Sequence, residues 1–131
     1  FCKIAKGEIH SATVYEDSHF TVILDVNPAT KGHCLIIPKE HFDNIYDLDG
    51  ETAGKLFALA TCIARAMRDA LKCDGLNLVQ NNGEIAGQTV NHFHLHLIPR
   101  YEGDGLNLNW PQQEISVEQL EEIRQSIKKS I

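Results

Sequence analysis

No apolar run in this sequence reaches the ~20 residues that cross a bilayer, so no membrane partner is expected. Internal repeats and low-complexity tracts are absent as well. Basic residues are scarce. Twelve Lys and Arg stand against 18 Asp and Glu, for a net charge of −6. Without a basic face the chain does not read as a nucleic-acid backbone binder. A small phosphorylated ligand is still compatible, because backbone amides and neutral polar groups can hold one phosphate. The four cysteines (Cys2, Cys34, Cys62, Cys73) have no close-pair spacing. Cys34 and Cys62 lie in apolar segments and read as small core residues. No signal peptide is visible, and a reduced, cytoplasmic protein with free thiols is the expectation.

What is present is an ordinary globular composition over 131 residues, 43% hydrophobic and 23% charged, enough for a single core. Segments 12–17, 19–25, 33–38, 76–81 and 92–99 read as strands, rich in β-branched, leucine and aromatic residues and broken by Asn, Pro and Gly. From 49 to 72 the period changes. Leu56, Ala60, Ile63, Met67 and Leu71 form the stripe of a long amphipathic helix that Gly75 is placed to end. A second helix opens at Ser116, with Gln119 completing a capping box and Val117, Leu120, Ile123 and Ile127 as its core-facing stripe. Strands in runs with helices between them predict an α+β fold with an antiparallel sheet.

Three histidines stand at alternate positions in the run NHFHLHLIPR: His92, His94 and His96. On a strand they share one face, while Phe93, Leu95 and Leu97 face the core. A single buried imidazole is usually a satisfied core residue, but three in register each need a partner. Two chemistries fit: zinc ligation by neutral imidazoles, or a nucleophile flanked by tuning neighbours. The preceding segment, with Asn81, Gly83, Gly87, Gln88 and Thr89, favours the second. Glycines allow close backbone approach and the polar groups can surround a phosphate, as phosphoryl transfer requires.

The stretch AGQTVNHFHLHLIPR resembles the signature of the histidine-triad (HIT) family, His-φ-His-φ-His-φ-φ with φ apolar. FCKIAKGEI and KGHCLIIPKEHFDNI extend the likeness over residues 1–101, and the small bacterial Hint-like branch is the best match. Residues 102–131 are then expected as a tail and helix packed on the same domain. The resemblance implies a five-stranded antiparallel sheet with two main helices, continued across a homodimer. It makes His94 the nucleophile at the α-phosphorus of a nucleotide. It makes His96 the contact to phosphate and leaving group, His92 an orienting partner, and His33 support from a neighbouring strand. It places Asp25 on the ribose hydroxyls, Phe1, Ile4, Ile9 and Val26 around the purine, and Asn81, Gln88 and Thr89 at the phosphate. Read without the family, Asp25 is a turn residue and the apolar four are core. Nucleotidyltransferases of the same superfamily carry Gln at the third triad position. His96, able to donate a proton, implies a hydrolase.

One departure concerns metal. Many bacterial relatives begin C-x-F-C, and that pair binds structural zinc with two histidines, which match His41 and His92. In the sequence from Phe1 onward only the second cysteine of that pair, Cys2, is present; the first would fall before Phe1 or the site is incomplete, and Cys2, His41 and His92 are three ligands of a site wanting four. The expected function is a purine nucleotide hydrolase of phosphoramidase type, with no cofactor required for the chemistry. A dinucleoside polyphosphate hydrolase and a nucleotide-binding regulatory protein with little turnover are the alternatives.

Overall fold

The structure, a computed structural model, describes residues 1–5, 7 and 12–131. Ile9, expected at the purine, lies outside the described residues. In chain order the elements are α1 (Cys2–Ala5), β1 (Thr13–Glu16), β2 (Phe20–Leu24), β3 (Cys34–Pro38), α2 (Gly50–Leu71), β4 (Gly75–Val79), β5 (Leu95–Arg100) and α3 (Val117–Ser130). The strands form one antiparallel sheet in the order β1-β2-β3-β5-β4. The expected α+β fold with five antiparallel strands is the one observed. No helix among the described residues is long and apolar enough to cross a membrane.

Strand alternation sorts the core into two layers. Phe20, Val22, Cys34, Ile36, Leu95 and Leu97 face α2, where Leu56, Ala60, Ile63 and Met67 meet them. The opposite face carries Ile23, Leu35 and Ile37 under α1, with Phe1 and Ile4 partly buried against them. A hydrogen bond from Thr21 Oγ1 to the Ala5 carbonyl (2.7 Å) ties α1 to that face. The first layer holds most of the buried apolar residues. Truncating Ile36, fully buried at its centre, to alanine is expected to cost about 2–5 kcal/mol of stability in urea unfolding.

Four sequence expectations are corrected. Cys34 is buried as expected, but Cys62 lies on the exposed side of α2. Gly75 does not end α2. Lys72 takes the left-handed position itself (φ 55°), its N–H bonding Arg68 O (3.0 Å), and Gly75 opens β4. A helix stop must follow the last turn directly, and Gly75 comes too late. The last strand begins at Leu95, not His92. Residues before it are held by other bonds, among them Phe93 N–H to Phe42 O (2.6 Å). Finally, α3 forms with its capping box, Gln119 N–H to Ser116 Oγ (3.1 Å) and Ser116 N–H to Gln119 Oε1 (3.0 Å). Its stripe does not face this chain's core: Val117, Leu120, Ile123 and Ile127 are all exposed, and so is every residue from 111 to 131. The tail after Glu102 passes beside β4 instead of folding back over α2, as the cleft that Asn77, Leu78 and Val79 share with residues 106–110 shows.

Candidate active site

A cavity of about 520 Å³ opens on the α1 side of the sheet. Its apolar walls are Phe1 and Ile4 of the α1 segment, Ile23 and Leu24 of β2, and Leu35 of β3. Asp25, Val26 and Asn27 follow β2 directly, and Thr89, Val90, His94 and His96 complete the lining. Strand alternation explains the pairing of polar and apolar members. Leu35 pairs with His96 across the sheet, so both project to the same face.

His94 is buried, and its Nδ1 lies 2.8 Å from the His92 carbonyl. A carbonyl only accepts, so Nδ1 carries the proton and Nε2 keeps its lone pair. The Phe1 ring meets the His94 ring edge-on, centroids 4.7 Å apart. Burial pushes His94 below the ordinary histidine value, against the opposing effects of the His92 carbonyl and Asp25. His96 stands beside it, ring centroids 4.9 Å apart. Burial first, then the neighbouring His94 and His33, push His96 down to about 4. His33 lies behind His96, its Nε2 at 2.9 Å from His96 Nδ1 and 3.8 Å from Asp25 Oδ2. Asp25 is itself fixed by the Asn27 N–H on Oδ1 (2.8 Å).

The His92 carbonyl orients His94, but the His92 side chain does not join this group. It sits in the bend before β5, and its Nε2 lies 2.8 Å from the Pro38 carbonyl. Its Nδ1 is 2.9 Å from Cys2 Sγ and 3.2 Å from His41 Nδ1. Cys2 Sγ is 3.2 Å from His41 Nδ1, while His41 Nε2 lies 2.7 Å from Asp43 Oδ1. Both outer nitrogens face pure acceptors and so carry the protons. In the neutral rings both Nδ1 lone pairs then point at each other and at the sulfur. Two bare nitrogens at that distance repel. A thiol proton relieves one of them, and a divalent cation relieves all three donors. The donor set thus fits zinc. Asp25, His33 and His96 also converge, with His33 Nε2 and His96 Nδ1 facing each other at 2.9 Å.

Asn81 and Gln88, expected at the phosphate, are not among the cavity lining. Gln88 is buried with its amide fully spent: Oε1 accepts from Gly83 N–H (2.8 Å), and Nε2 donates to Asp43 O (2.6 Å) and Val90 O (3.0 Å). It holds the 83–90 loop together. Asn81 lies against Gly87, whose φ of 95° brings the backbone close. Ile23, Leu24, Asn27, Leu35 and Val90 were not anticipated. Strand alternation from Asp25 and His96 would have found Ile23 and Leu35.

Four depressed histidines make stability depend on pH. The unfolded chain protonates them near 6.5, whereas burial holds His33, His92, His94 and His96 lower in the folded state. Between those values the unfolded state binds more protons, so stability is full above about 6.5 and is lost as pH falls toward 4. Metal-free protein should melt roughly 5–10 °C lower at pH 5 than at pH 7.5. A flat melting temperature across that range would contradict the burial of these rings.

The HIT domain family model matches residues 6–103, and the chain belongs to that family. It is 47% identical to "Protein hit" of Bacillus subtilis, over all of this chain and 92% of that one. It is 41% identical to the adenosine 5'-monophosphoramidase HNT1 of Saccharomyces cerevisiae, over 97% of this chain and 78% of that one. A HIT family protein from Bacillus anthracis has the same fold, with a TM-score of 0.94 at 46% identity, covering 100% of this chain and 95% of that one. A zinc-bound histidine triad family protein from Mycobacterium smegmatis matches with a TM-score of 0.77 at 39% identity, covering 100% and 96%.

Proposed function

We propose that this chain is a purine nucleotide hydrolase of phosphoramidase type, acting at the α-phosphorus through His94. The observation that carries the reading is the 2.8 Å contact between His94 Nδ1 and the His92 carbonyl, which commits the Nδ1 proton to that acceptor and leaves Nε2 as a nucleophile at the wall of a half-apolar cavity. The base packs between Phe1, Ile4 and Val26, and Asp25 accepts from the ribose hydroxyls. The Nε2 lone pair of His94 bonds to phosphorus as the P–N bond to the leaving amine breaks. The amine departs with that electron pair, hydrogen-bonded to His96, and takes a proton from water. Water then attacks the nucleotidyl-histidine, frees His94 and releases the nucleoside monophosphate and a proton, so the protons balance. The relationship to a yeast adenosine 5'-monophosphoramidase supports this choice over a dinucleoside polyphosphate hydrolase or a regulatory module with little turnover.

Zinc, where bound, is held by Cys2, His41 and His92 and supplies structural orientation to the segment that carries His94. No step of the chemistry uses it. A homodimer is part of the same reading. The exposed stripe of α3 and the exposed Leu78 of the outer strand β4 are surfaces that a second copy would cover. Sedimentation at micromolar concentration tests that, and a monomer would count against it. The function is tested with AMP-amines, diadenosine polyphosphates and ADP-sugars, followed by chromatography with and without EDTA. AMP release from the amines, unaffected by the chelator, is expected. Loss of activity with EDTA would point to a metal-dependent reaction instead.

A further inference from the structure

We propose that the backbone N–H of Ala29, acting through His33, holds His96 as a neutral imidazole protonated on Nε2, so that His96 meets the substrate as a hydrogen-bond donor and not as a cationic acid. The role toward substrate rests on the cavity being a nucleotide site; the tautomer chain does not.

The chain of reasoning starts at an amide. Ala29 N–H donates to His33 Nδ1 over 3.0 Å. An amide nitrogen cannot accept, so His33 Nδ1 is bare and the proton of neutral His33 sits on Nε2. The Asp25 carboxylate, 3.8 Å from that same Nε2, independently favours a proton there. His33 Nε2 lies 2.9 Å from His96 Nδ1, so His96 Nδ1 must accept. The single proton of neutral His96 is then on Nε2, and His96 lines the cavity. A cationic His96 would set two N–H groups head to head across that 2.9 Å contact.

The amide that starts the chain is held in place. It belongs to the turn between β2 and β3, which returns through Gly32 at φ 94°, where a side chain would be strained. Thr30 Oγ1 donates to Pro99 O (2.6 Å), and the Tyr101 hydroxyl donates to Lys31 O (2.5 Å). Asp25 N–H to His33 O (2.8 Å) closes the turn. The groups facing His96 are His94, His33 and Asp25. Burial and the two imidazoles outweigh the carboxylate there, in keeping with a neutral ring. Neutral imidazoles serve as electrophilic donors in other enzymes, where they stabilise developing charge without giving up the proton. His33 and Ala29 are on this account positioning groups, since neither lines the cavity.

The test reads the tautomers directly. Long-range proton–nitrogen correlation spectra of histidine-labelled protein at pH 7 should show His96 with Nε2 protonated and Nδ1 bare. Two variants separate positioning from packing. His33→Gln places an amide N–H where Nε2 was and should keep the His96 pattern. His33→Asn keeps an acceptor for Ala29 but cannot reach His96, whose two tautomers should then mix. Both variants are checked for folding by thermal melting. Turnover of an AMP-amine should fall at least about tenfold further in His33→Asn than in His33→Gln. A His96 proton on Nδ1, protons on both nitrogens, or identical spectra for the two variants would overturn the proposal. The expected spectra in a protein that turns over no nucleotide conjugate would overturn the functional reading and the donor role, while the tautomer chain stands.

Discussion

Replacing His94 with alanine is expected to abolish both the covalent intermediate and turnover, lowering the rate by about 10⁴-fold or more. The argument is one of valence. The attack needs a nitrogen lone pair at the cavity wall, and His94 Nε2 is the one that its own hydrogen bond leaves bare. His96 cannot replace it if its cavity-facing nitrogen carries a proton. His92 is turned away to Cys2 and His41. The alanine variant also strips the His92 carbonyl of its buried donor, at about 1–3 kcal/mol. His94→Asn is therefore the cleaner companion, because its amide can still donate to that carbonyl while offering no nucleophilic nitrogen lone pair. Both variants should bind AMP nearly as well as wild type, since Asp25 and the apolar walls are untouched. Wild-type enzyme quenched with labelled substrate should yield an acid-labile, base-stable phosphoramidate on His94. Near-normal turnover in His94→Asn, or the label on another residue, would end this mechanism.

Much of this arrangement was legible from spacing. The nearly continuous apolar runs in 20–24 and 33–38 and the stripe from Leu56 to Met67 report burial on two faces and on one. Burial is the property hydrophobic periodicity encodes. His94 and His96 followed from the same alternation, counted from Phe93 and Leu95 in the core. What was not legible depends on partners remote in sequence. His92 looks like a third strand residue, yet Pro38 and Cys2 decide where its ring points. Gln88 looks like a free polar group, yet its amide is claimed by Asp43, 45 residues away. The stripe of α3 looks like that of α2. Periodicity says that a helix has an apolar face, not whether its own chain covers it.

The Cys2, His41 and His92 cluster carries the second large expected effect. Zinc added to metal-free protein should raise the melting temperature, because a ligand that binds only the folded state stabilises it by about 2.7 kcal/mol at a hundred times its dissociation constant. The three donors come from α1, from the segment after β3, and from the bend before β5. Binding therefore joins three stretches that meet only in the folded chain. His41→Ala is the informative variant. His41 is half exposed and makes no contact with the cavity, so its loss removes a donor while leaving His92, and the carbonyl that orients His94, in place. The affinity for zinc, measured by competition with a chromophoric chelator, should drop at least about 10–100-fold. Asp43→Asn should give a smaller drop, since Asp43 holds the His41 tautomer without touching the metal. Affinity should also fall as pH is lowered, because protons compete with the metal for the same three donor atoms. If His41→Ala binds zinc as tightly as wild type, the converging lone pairs of His41 and His92 are a packing accident and the metal, if any, is held elsewhere.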